Sequence, residues 1–180
     1  MSRPSLRLLS VILAFIAAAC VGSRPKPPPA PPEFLAPVSA ESALGRVKAY
    51  AVTLSVPNVE EAAAWYVSKL GLREVKRKDY SLFGTRLVFL ELNGWRVELI
   101  EDAKSQPGPA PAAPPAHTRV QGVSQFAFET RALAAVRGEL EARGVPVVWE
   151  YESGDLGVRF LFIRDNNGNL IQFVERLLGP

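Results

Sequence analysis

From Ala51 onward the chain alternates apolar and polar residues in a short run, passes into a longer amphipathic stretch, alternates again through three more runs, and then repeats the whole series. Alternation with period two puts successive side chains on opposite faces of a strand, whereas apolar spacing of three to four marks a helix. The first pass predicts a strand over 51–54, a helix over 59–70, and strands over 73–78, 86–92 and 95–101. The second predicts a strand over 125–128, a helix over 132–143, and strands over 146–151, 158–164 and 170–175. Asn58 stands where an N-cap opens the first helix, and Gly71 and Gly144 stand where C-terminal caps close the two.

Two segments make the duplication explicit. NGWRVELIE (93–101) and NGNLIQFVE (167–175) share an Asn-Gly turn, an apolar alternation and a terminal Glu, 74 positions apart, and the same offset carries 51–54 onto 125–128. The expected fold class is therefore α+β: two βαβββ modules, 48–101 and 120–176, with pseudo-twofold symmetry in one domain, 47–180. Alternation assigns Val52, Leu54, Val97, Leu99, Phe126, Phe128, Ile171 and Phe173 to the buried face. It assigns Ala51, Thr53, Arg96, Glu98, Gln125, Ala127 and Gln172 to the other. The connection, 102–119, carries Pro107, Pro109, Pro111, Pro114 and Pro115. A link of that length is expected to run over the surface, with its His117, the only histidine of the chain, as a solvated loop residue.

The N-terminal segment changes where this domain works. Arg3 and Arg7 precede an apolar run of 12 residues, 8–19, broken only by Ser10 and closing on Ala17, Ala18 and Ala19 before Cys20. A membrane-spanning helix needs about 20 residues, so the run reads as the core of a signal peptide over 1–19. The AAAC ending resembles a bacterial lipoprotein box, although Ala17 stands where leucine is usual. That resemblance implies a diacylglycerol on Cys20, the only cysteine, and a place in the bacterial cell envelope, lipid-anchored on the periplasmic or outer-surface side of a membrane. Prolines at 25, 27, 28, 29, 31, 32 and 37 make the rest of 20–46 a stiff, hydrated tether.

Charge narrows the partners. The chain of 180 residues has 21 Lys and Arg against 18 Asp and Glu, but from Val47 onward the counts are 16 and 16, so the domain carries no basic excess with which to neutralise phosphates. Nucleic acid is not an expected partner. A lone cysteine also excludes an intramolecular disulfide and a cysteine-based zinc site.

The duplicated βαβββ unit, with VTLSVPNVEEAAAWYVSKLGL near its start and FIRDNNGNLIQFVE at its end, resembles the vicinal oxygen chelate superfamily of glyoxalases, extradiol dioxygenases and bleomycin-resistance proteins. The likeness covers roughly 48–176, with Arg159 where the family often has an arginine. It implies a cupped mixed sheet whose concave face, in metal-dependent members, holds two His and two Glu on the first and fourth strands of each module. The corresponding positions here are Ala51, Glu98, Gln125 and Gln172. A methyl group, one carboxylate and two neutral amides are a poor set for zinc, iron, nickel or manganese. No cofactor is therefore expected, with a weakly held divalent metal as the alternative. A cup with Thr53, Arg96, Glu98, Gln125 and Gln172 as its polar groups, and walls drawn from Phe83, Trp95, Phe160 and Phe162, suits a small organic ligand. The bland alternative for Glu98 is an ion pair with Arg96. The alternative function is a glyoxalase-type lyase or isomerase, or a dioxygenase-like enzyme, with Glu98 as catalytic base and an atypical metal. The long connection also permits the modules to exchange between two chains, so a homodimer is among the expected assemblies.

Overall fold

The computed structural model describes residues 39–177, so the expected signal peptide, Cys20 and most of the expected tether lie outside the described residues. These residues fall into two units, one ending at Arg46 and one beginning at Val47. In the first, Leu44–Arg46 form a short 3-10 turn. Among the described residues no helix is long and apolar enough to cross a membrane.

The second unit runs β1 (Ala51–Ser55), α1 (Val59–Trp65), β2 (Arg73–Tyr80), β3 (Thr85–Leu92) and β4 (Trp95–Asp102). It then repeats as β5 (Phe126–Thr130), α2 (Leu133–Ala142), β6 (Val147–Ser153), β7 (Val158–Arg164) and β8 (Leu170–Arg176). The strands pair in the orders β1-β4-β3-β2 and β5-β8-β7-β6. Each sheet is mixed: the helical crossover brings β1 parallel to β4 and β5 parallel to β8, while tight connections make the other pairs antiparallel. Two βαβββ modules in one α+β unit are thus what forms. Among the departures from the expected boundaries, Gln125 and Pro146 stand one residue before β5 and β6, and the helix expected over 59–70 is α-helical to Trp65 and continues as a π-helical turn, Tyr66–Leu70.

One face of each sheet is covered by its helix. Val88, Leu90, Val97 and Leu99 pack with Val59, Ala62, Ala63 and Tyr66, and Leu161, Ile163, Ile171 and Phe173 pack with Leu133 and Leu140 in the same cluster. Trp95 joins the modules there, edge-on to Phe128 at 5.0 Å and 5.6 Å from Phe126. Its place in the core follows from β4 parity, because Trp95, Val97 and Leu99 share a face. Trp95 is consequently not a wall of the site, contrary to expectation. Phe83 is not one either: it ends the Ser81–Phe83 turn at the β2–β3 tip, 83% exposed.

The terminal Glu of each repeat has a structural task. At the start of α1, Asn58 Oδ1 accepts from the amides of Glu60 and Glu61 at 3.0 and 3.1 Å. Glu101 Oε2 accepts from the Val59 amide at 2.9 Å, and its other oxygen pairs with Arg86. In the second module Glu175 accepts from the Leu133 amide at 3.3 Å, with Arg159 at 3.8 Å. Unpaired helix N-terminal amides are satisfied in this way by the last strand of their own module. Arg86 and the Val59 amide hold the Glu101 carboxyl below its ordinary value of 4.5. A depressed carboxylate gives stability that is complete above the ordinary value and vanishes as pH falls through the folded-state value. Glu101→Gln is expected to cost about 1 kcal/mol at neutral pH and to lessen the fall in stability below pH 4.5 or so. Urea unfolding across that range measures both, and an unaltered acid limb would count against the capping role.

Candidate functional site

The helix-free face of each sheet can be read row by row from the strand register. In the first module Thr53, Glu98, Phe89 and Lys76 form one row and Ala51, Arg96 and Glu91 the next. Glu98 accepts a hydrogen bond from Thr53 Oγ1 at 2.6 Å. Arg96 turns away from it: its Nε donates to Glu91 Oε2 at 3.1 Å, and its guanidinium lies 4.9 Å over the Tyr50 ring. Glu91 first, and Tyr50 second, raise the Arg96 pKa above its ordinary value. The expected alternative for Glu98, a pair with Arg96, is therefore not formed. Thr53 is its partner, one place across the parallel β1–β4 pair.

In the second module Ala127, Gln172, Phe162 and Trp149 form the row that corresponds to Glu98, and Glu129, Val174, Phe160 and Tyr151 form the row beside it. Gln172 thus lies next to Phe162, on the expected face. Trp149 and Tyr151 stack on each other with centroids 5.2 Å apart and planes 11° from parallel. Trp149 is also 5.7 Å from Phe162, and Phe160 is 6.5 Å from Phe162. Phe160 and Phe162 share the helix-free face with Trp149 and Tyr151, two aromatics that the sequence reading left out although both alternate at period two on a strand already recognised. The two faces therefore differ in chemistry, one carrying charged and hydroxyl groups and the other an aromatic floor. Among the described residues no hydrogen bond joins Glu98 to Gln125 or Gln172.

The connection runs over the surface as expected, with residues 102–110 exposed throughout, but its second part docks onto the domain. Arg164 donates from Nη2 to the Pro111 carbonyl at 2.6 Å and from Nη1 to the Gly168 carbonyl at 2.7 Å. Pro114 is buried. The turn Ala116–Arg119 brings the His117 ring edge-on to Phe162 at 5.4 Å, with Nδ1 buried and unpartnered. Packing against the aromatic floor overrides the polarity that made His117 look exposed. Proline-rich sequence gives no signal of such docking, because it lacks the periodicity that marks a regular element.

The model of the Glyoxalase/Bleomycin resistance protein/Dioxygenase superfamily matches residues 48–173. The chain belongs to that superfamily. Among solved structures, a glyoxalase family protein from Enterococcus faecalis is 19% identical with a TM-score of 0.59, covering 71% of this chain and 97% of its own. A fosfomycin resistance protein from Listeria monocytogenes is 15% identical with a TM-score of 0.54, covering 73% and 94%. A glyoxalase I mutant from Zea mays is 14% identical with a TM-score of 0.57, covering 73% of this chain and 45% of its own. At such identities the likeness is one of fold. No curated protein matches the chain.

The resemblance implies Ala51, Glu98, Gln125 and Gln172 as the positions that would hold a metal. They supply one carboxylate, already engaged by Thr53, two amides and the methyl of Ala51. Among the described residues no three His, Cys, Asp or Glu side chains come together as a metal site. This donor set does not fit a transition-metal ion, so no chemical step is routed through one.

Proposed function

We propose that the chain is a lipid-anchored binding protein of the bacterial envelope that captures a small organic molecule on its helix-free faces without a transition metal. Thr53, Arg96, Glu98, Gln125 and Gln172 are its polar contacts, and Cys20 is its attachment to the membrane. What carries the reading is the donor set: amides and a methyl group stand where a catalytic metal would need imidazoles and carboxylates, and they lie beside aromatic side chains that favour organic ligands.

The test uses the full chain extracted from membranes in detergent. Native mass spectrometry is expected to show a bound organic molecule, and elemental analysis well under one equivalent of nickel, zinc, iron or manganese. Radioactive fatty acid is expected to label the wild type and not Cys20→Ser. One equivalent of metal that is lost in Glu98→Gln would overturn the metal-free reading in favour of a glyoxalase-type lyase or isomerase. Equal labelling of both proteins would overturn the anchor.

A further inference from the structure

The second module's helix-free face is already in contact with a flat heteroaromatic ring, and that ring belongs to the chain itself. Phe162 is 2% exposed, whereas Tyr151, in the neighbouring row of the same face, is 50% exposed. The His117 imidazole meets Phe162 in an edge-to-face geometry at 5.4 Å and 67°, an arrangement that aromatic rings prefer. Beyond it the Trp149–Tyr151 stack and Phe160 continue the aromatic floor. A groove of about 610 Å³ lined by Ala127, Leu156, Val158 and Val174, with the Glu129–Arg176 ion pair on its wall, borders its outer end.

The segment that delivers His117 is held unevenly. Its first half is tied down by Arg164 to the Pro111 carbonyl, and Ala110 comes to within contact of Gly168, whose Cβ position would lie 3.6 Å from it. Its second half ends in the Ala116–Arg119 turn, where His117 Nδ1 is buried without a partner. Around it Pro115, Thr118, Arg119 and Val120 are exposed, so few buried contacts hold the turn to the domain. The ring is therefore well placed over the floor by shape and carried by a turn whose neighbours face solvent, as befits an occupant that can be displaced.

We propose that this face is a binding subsite for small planar heteroaromatic molecules, and that His117 is its built-in competitor, carried there by the proline-rich connection. The proposal rests on the chain being a binder of small organic molecules and names the class it takes. Tyr151 and Trp149 supply stacking surface, the groove beside Val158 and Val174 supplies room, and Gln172, next to Phe162, supplies an amide to orient polar ring atoms. A ligand reaches Phe162 when the Ala116–Arg119 turn lifts, so apparent affinity is reduced by the fraction of molecules in which the turn is closed.

Benzimidazole is the probe, with cyclohexanol as the non-aromatic control, titrated calorimetrically into the full chain. Removing the competitor in His117→Ala is expected to tighten benzimidazole binding about tenfold, as for a turn closed roughly nine-tenths of the time. Tyr151→Ala, at a half-exposed position that the fold tolerates, is expected to weaken it about tenfold through lost stacking. His117→Phe, which keeps a ring on Phe162, is expected to bind as the wild type does. Unchanged or weaker binding in His117→Ala overturns the competitor role, as does an equal gain in His117→Phe. A cyclohexanol gain equal to that of benzimidazole overturns the aromatic class. If His117→Ala takes no benzimidazole while the molecule co-purified with the wild type still binds, the class is wrong and the binding reading stands; if nothing binds, both fall.

Discussion

Asp165→Ala is expected to lower stability by about 4 kcal/mol, because the carboxylate it removes is the buried partner of four donors on two modules. Asp165 is 6% exposed. It accepts from Tyr66 Oη at 2.7 Å, from Asn169 Nδ2 at 2.8 Å, and from the amides of Asn169 and Asn167 at 2.8 and 2.9 Å. The amide bonds shape the β7–β8 connection, and the phenol ties that connection to the π-helical turn Tyr66–Leu70 that follows α1. Burial first, and the Asp165 charge second, push the Tyr66 hydroxyl far above its ordinary pKa, so it stays a donor. Tyr66→Phe removes one bond and leaves the carboxylate three, so its expected cost is smaller, about 1–2 kcal/mol. A double-mutant cycle by urea unfolding checks the pair: a loss below about 1 kcal/mol in Asp165→Ala would show that the contact does not hold the modules together.

Much of this was legible in the sequence for a physical reason. Strand faces are fixed by period two, so Glu98 and Gln172 could be assigned to the helix-free side from Val97, Leu99, Ile171 and Phe173 alone. Duplication then doubled every signal, since Glu101 and Glu175 recur at one offset, and their shared task as helix caps emerges once the strands pair. What period two cannot supply is contact between side chains distant along the chain. The Tyr66–Asp165 bond spans 99 positions, and neither the helical stretch around Tyr66 nor the turn after Asp165 carries a local sign of it. His117 was hidden differently: its segment has no periodicity, and its docking depends on Arg164 and Phe162, two residues of one strand whose reach across the connection no local pattern records. Arg96, the alternative partner considered for Glu98, shares its face with Thr53, which holds the carboxylate instead. Arg96 was the choice favoured by charge, yet Glu91, directly opposite it in the register, claims it first.

Rebuilding the family's ligand set should produce the largest gain of function. Ala51 and Glu98 stand diagonally across the parallel β1–β4 pair, since Ala51 is opposite Arg96 and Thr53 opposite Glu98. Gln125 and Gln172 have the same relation around β5 and β8, since Ala127 is opposite Gln172. Each module therefore offers two positions of one face, close enough for long side chains to share an ion. Combining Ala51→His, Gln125→His and Gln172→Glu supplies two imidazoles and, with Glu98, two carboxylates. Such a set holds nickel or zinc far better than amides do, and the expected gain in affinity is at least about a thousandfold. Thr53 holds Glu98 Oε2, which leaves Oε1 for the ion and keeps the carboxylate oriented. Calorimetric titration of the folded triple variant is the measurement, with each single variant as control. Binding of one ion per chain by the triple variant, and by none of the singles, would show that the two modules contribute to one site. If the folded triple variant binds no metal, the four positions do not converge, and the assignment of Glu98, Gln125 and Gln172 to a shared ligand site falls with them.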